Sequence, residues 1–321
     1  MALGELWLEL LCDDPVVRVG TGDVICSPAG LWLALSALEA DADGAAAREE
    51  LRGVVGPAGP EKNAARELLG QDGAFTLEAW WEQPFAPYFT REIPFTDARG
   101  VTHEVPAVIG EVPVEDAWTV TRPQGRVTVV ELRARAGNVA AAPAAQSQSQ
   151  PVRVRLALGE NRHVPPAQVM AASWTPAAQG TRIRGSRNSG GRHPEAILLE
   201  LPRLALSSEI DVTPHLAALG VRRLFSSSAE PSSTELPRDR AVHSCLVRLD
   251  ETGIGSRPVA DATEDRPRTY GTYLDGPGQL LRTAPMRLDR PFAVSVLDES
   301  GTIPLLSGFQ ADRPGPRDAW G

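Results

Sequence analysis

Apolar residues along this chain recur with two different periods, and the changes of period mark out the elements. Leu3, Leu6 and Leu10 fall on one side of a helix with Glu5 and Glu9 off it, so residues 3–11 read as a short amphipathic helix. Residues 25–38 form a second one. Ser27 can cap it, and Pro28 stands at the first helical position, where a missing N–H is harmless. Leu31, Leu35 and Leu38 keep one apolar side, and the added Trp32 and Leu33 predict deep burial. The Asp-Ala-Asp-Gly run at 41–44 breaks this helix. Residues 45–54 read as a third, closed by Gly56 and Pro57. Strict alternation then predicts strands at 126–132 and 152–158. A strand is also expected at 241–249 and a short helix at 166–174. The stretch 140–150, rich in Ala, Gln and Ser, reads as a flexible loop. Residues 253–285 lose periodicity altogether. Gly253, Gly255, Gly271, Gly276, Gly278, Pro258, Pro267 and Pro277 punctuate them, which predicts an exposed, mobile and functional segment.

The chain has 321 residues, enough for one large domain or two ordinary ones, and 42% of them are hydrophobic, enough for a packed core. A net charge of -9 argues against a nucleic-acid-binding surface. All basic residues but Lys62 are arginine. Cys12, Cys26 and Cys245 are widely spaced and form no Cys-x-x-Cys or Cys/His cluster, so neither a structural zinc site nor a disulfide framework is expected. Nothing at the N-terminus resembles a signal peptide and no span is apolar enough for a membrane helix, so a cytoplasmic chain without membrane contact is expected. Catalytic motifs are lacking: there is no Gly-x-Ser-x-Gly, His-Glu-x-x-His or phosphate-binding loop, and His103, His163, His193 and His215 are scattered. The local basic run Arg182, Arg184, Arg187 and Arg192 reads as a solvated turn, with anion binding as the alternative.

Several motifs stand in one order. They are Ile-Cys-Ser-Pro-Ala-Gly at 25–30, Trp-Glu-Gln-Pro-Phe at 81–85, Leu-Glu-Leu-Pro-Arg-Leu at 199–204, Leu-Asp-Glu-Thr-Gly at 249–253 and Arg-Leu-Asp-Arg-Pro-Phe at 287–292. Together they resemble the serpin family, protease inhibitors that offer a long reactive-centre loop as bait. The resemblance covers most of the chain and implies strands at 75–81, 101–106 and 196–206, a helix over 211–221, and a single α+β domain over 1–312, with the loop at 253–285 exposed and a flexible tail at 313–321. It departs from the family between Gly56 and Phe75, where serpins place several helices and two strands of the main sheet. The chain is therefore identified as a short, bacterial-type member lacking part of the first half, with a reduced main sheet. The strand at 75–81 would then be a sheet edge, open to self-association.

The resemblance implies inhibition of a serine (or cysteine) protease, with no cofactor, no metal and no enzymatic activity of its own. By family resemblance an extracellular location is the alternative to the cytoplasm. The loop hinge would be Glu251, Gly253, Ile254, Gly255, Ser256 and Pro258. In serpins the cleaved loop enters the main sheet as a new strand, so alternate residues share a face. Ile254, Ser256, Pro258, Ala260 and Ala262 suit burial; Gly255, Arg257, Val259 and Asp261 suit water. Pro258 lacks the ladder donor that a central strand needs. Counting forward from Gly253 places the scissile bond near Arg266 and Arg268. Counting back from Asp289 places it near Leu280, Leu281 and Arg282, so a trypsin-like or a chymotrypsin-like target stays open. Ser27 and His243 mark the region that controls sheet opening in the family. The positions where serpins place the histidine's partners read Gly30 and Gly73, so His243 is expected to bond to backbone or water. Two other functions remain: a non-inhibitory binding scaffold, and an enzyme reusing the fold.

Overall fold

The computed structural model describes residues 2–14, 17, 22–41, 45–57, 59–69, 77–82, 85, 90–137, 150–183, 196–222, 241–255 and 285–315. In chain order the elements are α1 (Ala2–Asp13), β1 (Val24–Cys26), α2 (Pro28–Asp41), α3 (Ala45–Val55), α4 (Pro60–Leu69), β2 (Glu78–Trp81), β3 (Arg91–Thr96), β4 (Thr102–Pro113), β5 (Ala117–Arg122), β6 (Gly125–Gly137), β7 (Gln150–Gly159), α5 (Pro166–Trp174), β8 (Thr181–Arg182), β9 (Ala196–Pro202), β10 (Leu204–Asp211), β11 (Val242–Leu249), β12 (Gly253–Gly255), β13 (Pro285–Arg287), β14 (Phe292–Asp298) and β15 (Pro304–Gln310). This is an α+β architecture. The larger sheet runs β1-β15-β14-β7-β6-β2-β12-β11-β10, with β5 on β6 and β8 on β5. The smaller one runs β13-β9-β4-β3.

The N-terminal helices form where the caps and apolar spacing place them. Ser27 Oγ accepts the Gly30 N–H at 2.9 Å, which caps α2. The fully buried apolar side chains of α1 are Trp7, Leu8 and Leu11; Leu3 and Leu10 pack partly buried against the same core, and Leu6 is exposed. The reason is Trp7, whose ring meets His215 edge-on at 5.5 Å and turns the helix toward itself. Likewise Leu31, Leu33 and Leu35 bury while Leu38 is exposed. These helices and α5 enclose one core against the outer part of the sheet. A second core lies between the two sheets, around Trp81, Phe95, Leu156, Leu249 and Phe292.

Three expectations change. Residues 211–221 are not a helix. After β10 the chain makes a short 3-10 turn over Thr213–His215, with Pro214 inside it. Between Gly56 and Phe75 the chain builds α4, which buries Ala65 and Leu69. Finally, β2 is not a sheet edge. Its one flank pairs with β12, and its other flank pairs with the far end of β6, Glu78 opposite Gly137 through Trp81 opposite Ala134. The β6–β7 hairpin is long enough to do this. Its ladder runs from Val127 opposite Gly159 to Ala136 opposite Gln150. The predicted route to self-association through β2 is thereby closed.

Candidate functional site

The hinge is built by a tight turn between β11 and β12. Asp250 Oδ1 accepts the Thr252 N–H at 2.8 Å, the Thr252 hydroxyl at 2.6 Å and the Gly253 N–H at 3.3 Å. An aspartate that bonds its own backbone two residues on is a turn former. The chain then reverses into β12, which pairs antiparallel with β11, Arg248 opposite Gly255 and Leu249 opposite Ile254. On its other side β12 pairs antiparallel with β2, Gly253 opposite Trp80 and Ile254 opposite Ala79. Residues 253–255 are therefore a buried central strand rather than the start of an exposed loop. Ile254 carries this docking, with its side chain in the core beneath the sheet.

Gly253 is required by space. A Cβ there would lie 2.0 Å from the Ala79 carbonyl oxygen and 2.8 Å from the Trp80 Cα, both backbone atoms that cannot rotate away. Gly253→Ala is expected to destabilise the fold by about 1–3 kcal/mol, as overpacking does, or to expel β12 from the sheet. Hydrogen exchange of the Ile254 amide reads this directly. Unchanged protection would contradict the assigned close approach.

Glu251 sits behind the turn, buried. Its Oε1 accepts the Thr90 hydroxyl at 2.6 Å and the Arg203 Nε–H at 3.0 Å, and the same guanidinium reaches it through Nη2 as well. Burial opposes ionisation of this carboxyl, but the bonds from Arg203 and Thr90 outweigh it and hold it ionised below the usual range. Its backbone oxygen accepts the Phe85 N–H, and Trp81 Nε1 donates to the Asp250 oxygen at 2.9 Å. The turn is thus clamped from β2, from Arg203 between β9 and β10, and from Thr90.

The far end of the loop returns in β13, which pairs parallel with β9, Pro285 opposite Leu198 through Arg287 opposite Glu200. Glu200, 1% exposed, accepts from both Arg91 and Arg287. Here too burial pushes the carboxyl up, while the bonds and charges of the two arginines hold it down. Leu288, two residues on from Met286, donates its N–H to the Glu200 oxygen. Loop entry and loop return are each fixed by a buried glutamate and arginine. The motif reading named Glu251 but missed Arg203 and the Glu200 pair. A lone acidic residue in the otherwise apolar run 196–202 was the available signal.

Ser27 and His243 meet at the other end of β11. The Ser27 N–H donates to His243 Nε2 at 2.9 Å, and the Ser27 hydroxyl donates to the Leu305 oxygen at 2.6 Å. Cys245 Sγ lies 3.2 Å from the same nitrogen. An Nε2 that accepts must be unprotonated, and burial lowers the imidazole to about 4 from its ordinary 6.5. Between those values the unfolded chain binds a proton that the folded one does not. The stability is therefore complete above pH ~6.5 and lost as pH falls toward ~4, up to about 3 kcal/mol. Urea melts at pH 7 and 4.5 should show a larger loss for the intact protein than for His243→Gln. Parallel losses would contradict the assignment.

Ser256, Pro258, Arg266, Arg268, Leu280, Leu281 and Arg282 lie outside the described residues, as do Gly73, Arg184, Arg187, Arg192 and positions 316–321. Arg182 is exposed on β8. No group of three metal-ligating side chains occurs among the described residues.

A family model for serpins (serine protease inhibitors) matches residues 177–312. The alpha-1-antitrypsin-like protein GS55-LT of Ictidomys tridecemlineatus is 32% identical over 114 residues, 34% of this chain and 24% of that one. Alpha-1-antiproteinase 2 of Equus caballus is 26% identical over 131 residues, 40% and 28% of the two chains. The matched part thus spans about a quarter of these curated relatives. Structural likeness extends much further. Human thyroxine-binding globulin, solved with its thyroid-hormone ligand, superposes with a TM-score of 0.63 and 13% identity over 98% of both chains. Native protease nexin-1 with heparin gives 0.62 and 13%, over 97% of this chain and 99% of that one. Tengpin, a thermophilic serpin, gives 0.58 and 12%, over 97% and 93%. With such coverage the expected loss of part of the first half finds no support, and neither does a bacterial affiliation. The chain has the serpin fold over nearly its whole length, and its residues 177–312 match the serpin family model.

Proposed function

We propose that this chain inhibits a serine-type endopeptidase by offering the segment after Gly255 as bait and drawing it into the main sheet once cut. The observation that carries this reading is β12. The chain leading into the loop already lies between β11 and β2, with Ile254 buried, so the sheet accepts a strand at this position. Continued along β11 in the same register, Pro258 would come opposite Cys245, and Ser256 would come opposite Val247. Arg266, Arg268, Leu280, Leu281 and Arg282 would present trypsin-like or chymotrypsin-like cleavage sites. Incubation with trypsin and chymotrypsin, followed by denaturing gels, tests the reading. A protease complex that survives denaturant supports trapping, and clean cutting of the loop with free protease overturns it.

The second reading is a non-inhibitory binding scaffold. Pro258 favours it, because a proline cannot donate to the ladder that insertion must build. Thyroxine-binding globulin, whose structure was solved with a bound ligand, has the same fold.

A further inference from the structure

The two ends of the loop are held by neighbouring residues of the same two segments. Thr90 and Arg91 are consecutive, and each holds a different glutamate. Thr90 donates its hydroxyl to Glu251, behind the hinge turn, at 2.6 Å. Arg91 donates through Nη2 to Glu200, beneath β13. The second segment repeats the connection. Glu200 accepts from Arg287 of β13, and Arg203, three residues on, donates to Glu251 through Nε at 3.0 Å. The links close a ring that runs from Glu251 to Thr90 and Arg91, on to Glu200, along the chain to Arg203, and back to Glu251. One strand frames it: Ala107 of β4 stands opposite Arg91 on one side and opposite Pro202 on the other, and the Arg203 N–H donates to the Pro106 oxygen at 2.9 Å.

Neither end is long enough to seat itself. β12 and β13 have three residues each, about half of a usual strand. β12 makes two pairs with each neighbour, and β13 makes three pairs with β9. Beyond those ladders, each end is fixed through one buried carboxylate, Glu251 or Glu200. A carboxylate out of water is tolerated only while its donors stay in place. If β12 leaves the sheet, the turn carries Glu251 away, and Thr90 and Arg203 lose the acceptor that they share. Arg91 then loses the anchor beside it in the chain. Its side chain is 52% exposed and has water to turn to, whereas Glu200, 1% exposed, has none to replace it. The same chain of losses runs backward from Arg287.

We propose that this ring makes the seating of β12 and of β13 one cooperative event, so that the loop is held at both ends or at neither. Side chains in one hydrogen-bonded and charged network couple energetically, and the coupling is reciprocal: what frees one end frees the other. This concerns the two strands themselves and holds whether or not the chain inhibits a protease.

The test is native-state hydrogen exchange of the full chain, read at three amides. Ile254, opposite Ala79, reports on β12. Leu288, which donates to the Glu200 oxygen, reports on β13. Val294 of β14, between β7 and β15, reports on the rest of the sheet. Thr90→Val alters the entry and Arg287→Gln the return. Each is expected to speed exchange at both Ile254 and Leu288, by about threefold or more at the far end, with Val294 unchanged. In an Arg91→Gln background the response of Leu288 to Thr90→Val should shrink. A response confined to the near end overturns the proposal, as does no response at either end. Equal acceleration at Val294 also overturns it, by showing general loss of stability, and an undiminished response without Arg91 overturns the ring as the route. Were Arg287→Gln to fail to fold, Thr90→Val read at Leu288 decides alone.

Discussion

Trp81→Ala is expected to lower the stability of the protein by about 3–5 kcal/mol, the usual result of truncating a large buried aromatic. Trp81 is 4% exposed and packs edge-on against Phe85 at 5.9 Å. It also joins the sheet to the hinge. Its backbone N–H donates to the Thr252 oxygen, and its indole N–H donates to the Asp250 oxygen. Trp81→Phe keeps most of the packing and loses the indole bond, so about 1 kcal/mol is expected from that part. Denaturant melts of both variants separate the two contributions. Equal, small losses would mean that Trp81 neither fills the core nor holds the turn.

Arg203→Ala is expected to cost about 3 kcal/mol at pH 7, the lower end for breaking a buried ion pair, because Arg203 is itself partly exposed. The variant leaves the Glu251 carboxylate buried with Thr90 as its remaining side-chain donor. The pH dependence gives the sign. In the parent, Arg203 holds the carboxyl below its ordinary value, so this stability is present at neutral pH and lost as pH falls through the folded value. The difference between parent and variant must therefore shrink in acid, as Glu251 takes up a proton in both. A difference that stays constant from pH 7 to 3 would show that the loss of Arg203 acts through packing of its stem instead.

Much of this was legible in the chain, for physical reasons that differ between elements. Ser27 and Pro28 announce α2 because caps and first-turn prolines have few alternative uses. Alternation announced β7 and the first half of β6. Helix α4 was hidden because Glu61, Asn63 and Glu67 surround its buried residues, of which Ala65 and Leu69 are apolar and the third is Lys62. The far end of β6 was hidden for a related reason. Its inward residues are Ala134 and Ala136, too small to stand out between Arg133 and Arg135, yet they fit against β2. The hinge was misplaced because Gly-Ile-Gly has the composition of a loop. A single buried side chain, Ile254, and a backbone contact only glycine allows make it a strand. Pairings between distant segments, such as Glu251 with Arg203 or Glu200 with Arg287, leave no local pattern at all.

The central claim is that the sheet takes up the loop after cleavage. A new strand adds ladder bonds and buries side chains beside β11, so the cut molecule should be the more stable one. The measurement is the melting temperature of intact protein and of protein nicked within residues 256–284, each also as Pro258→Ala. The account predicts a small rise on nicking in the parent and a larger rise in Pro258→Ala, where the missing ladder donor is restored. No rise on nicking in either form would contradict insertion and leave the chain a binding scaffold on a serpin fold.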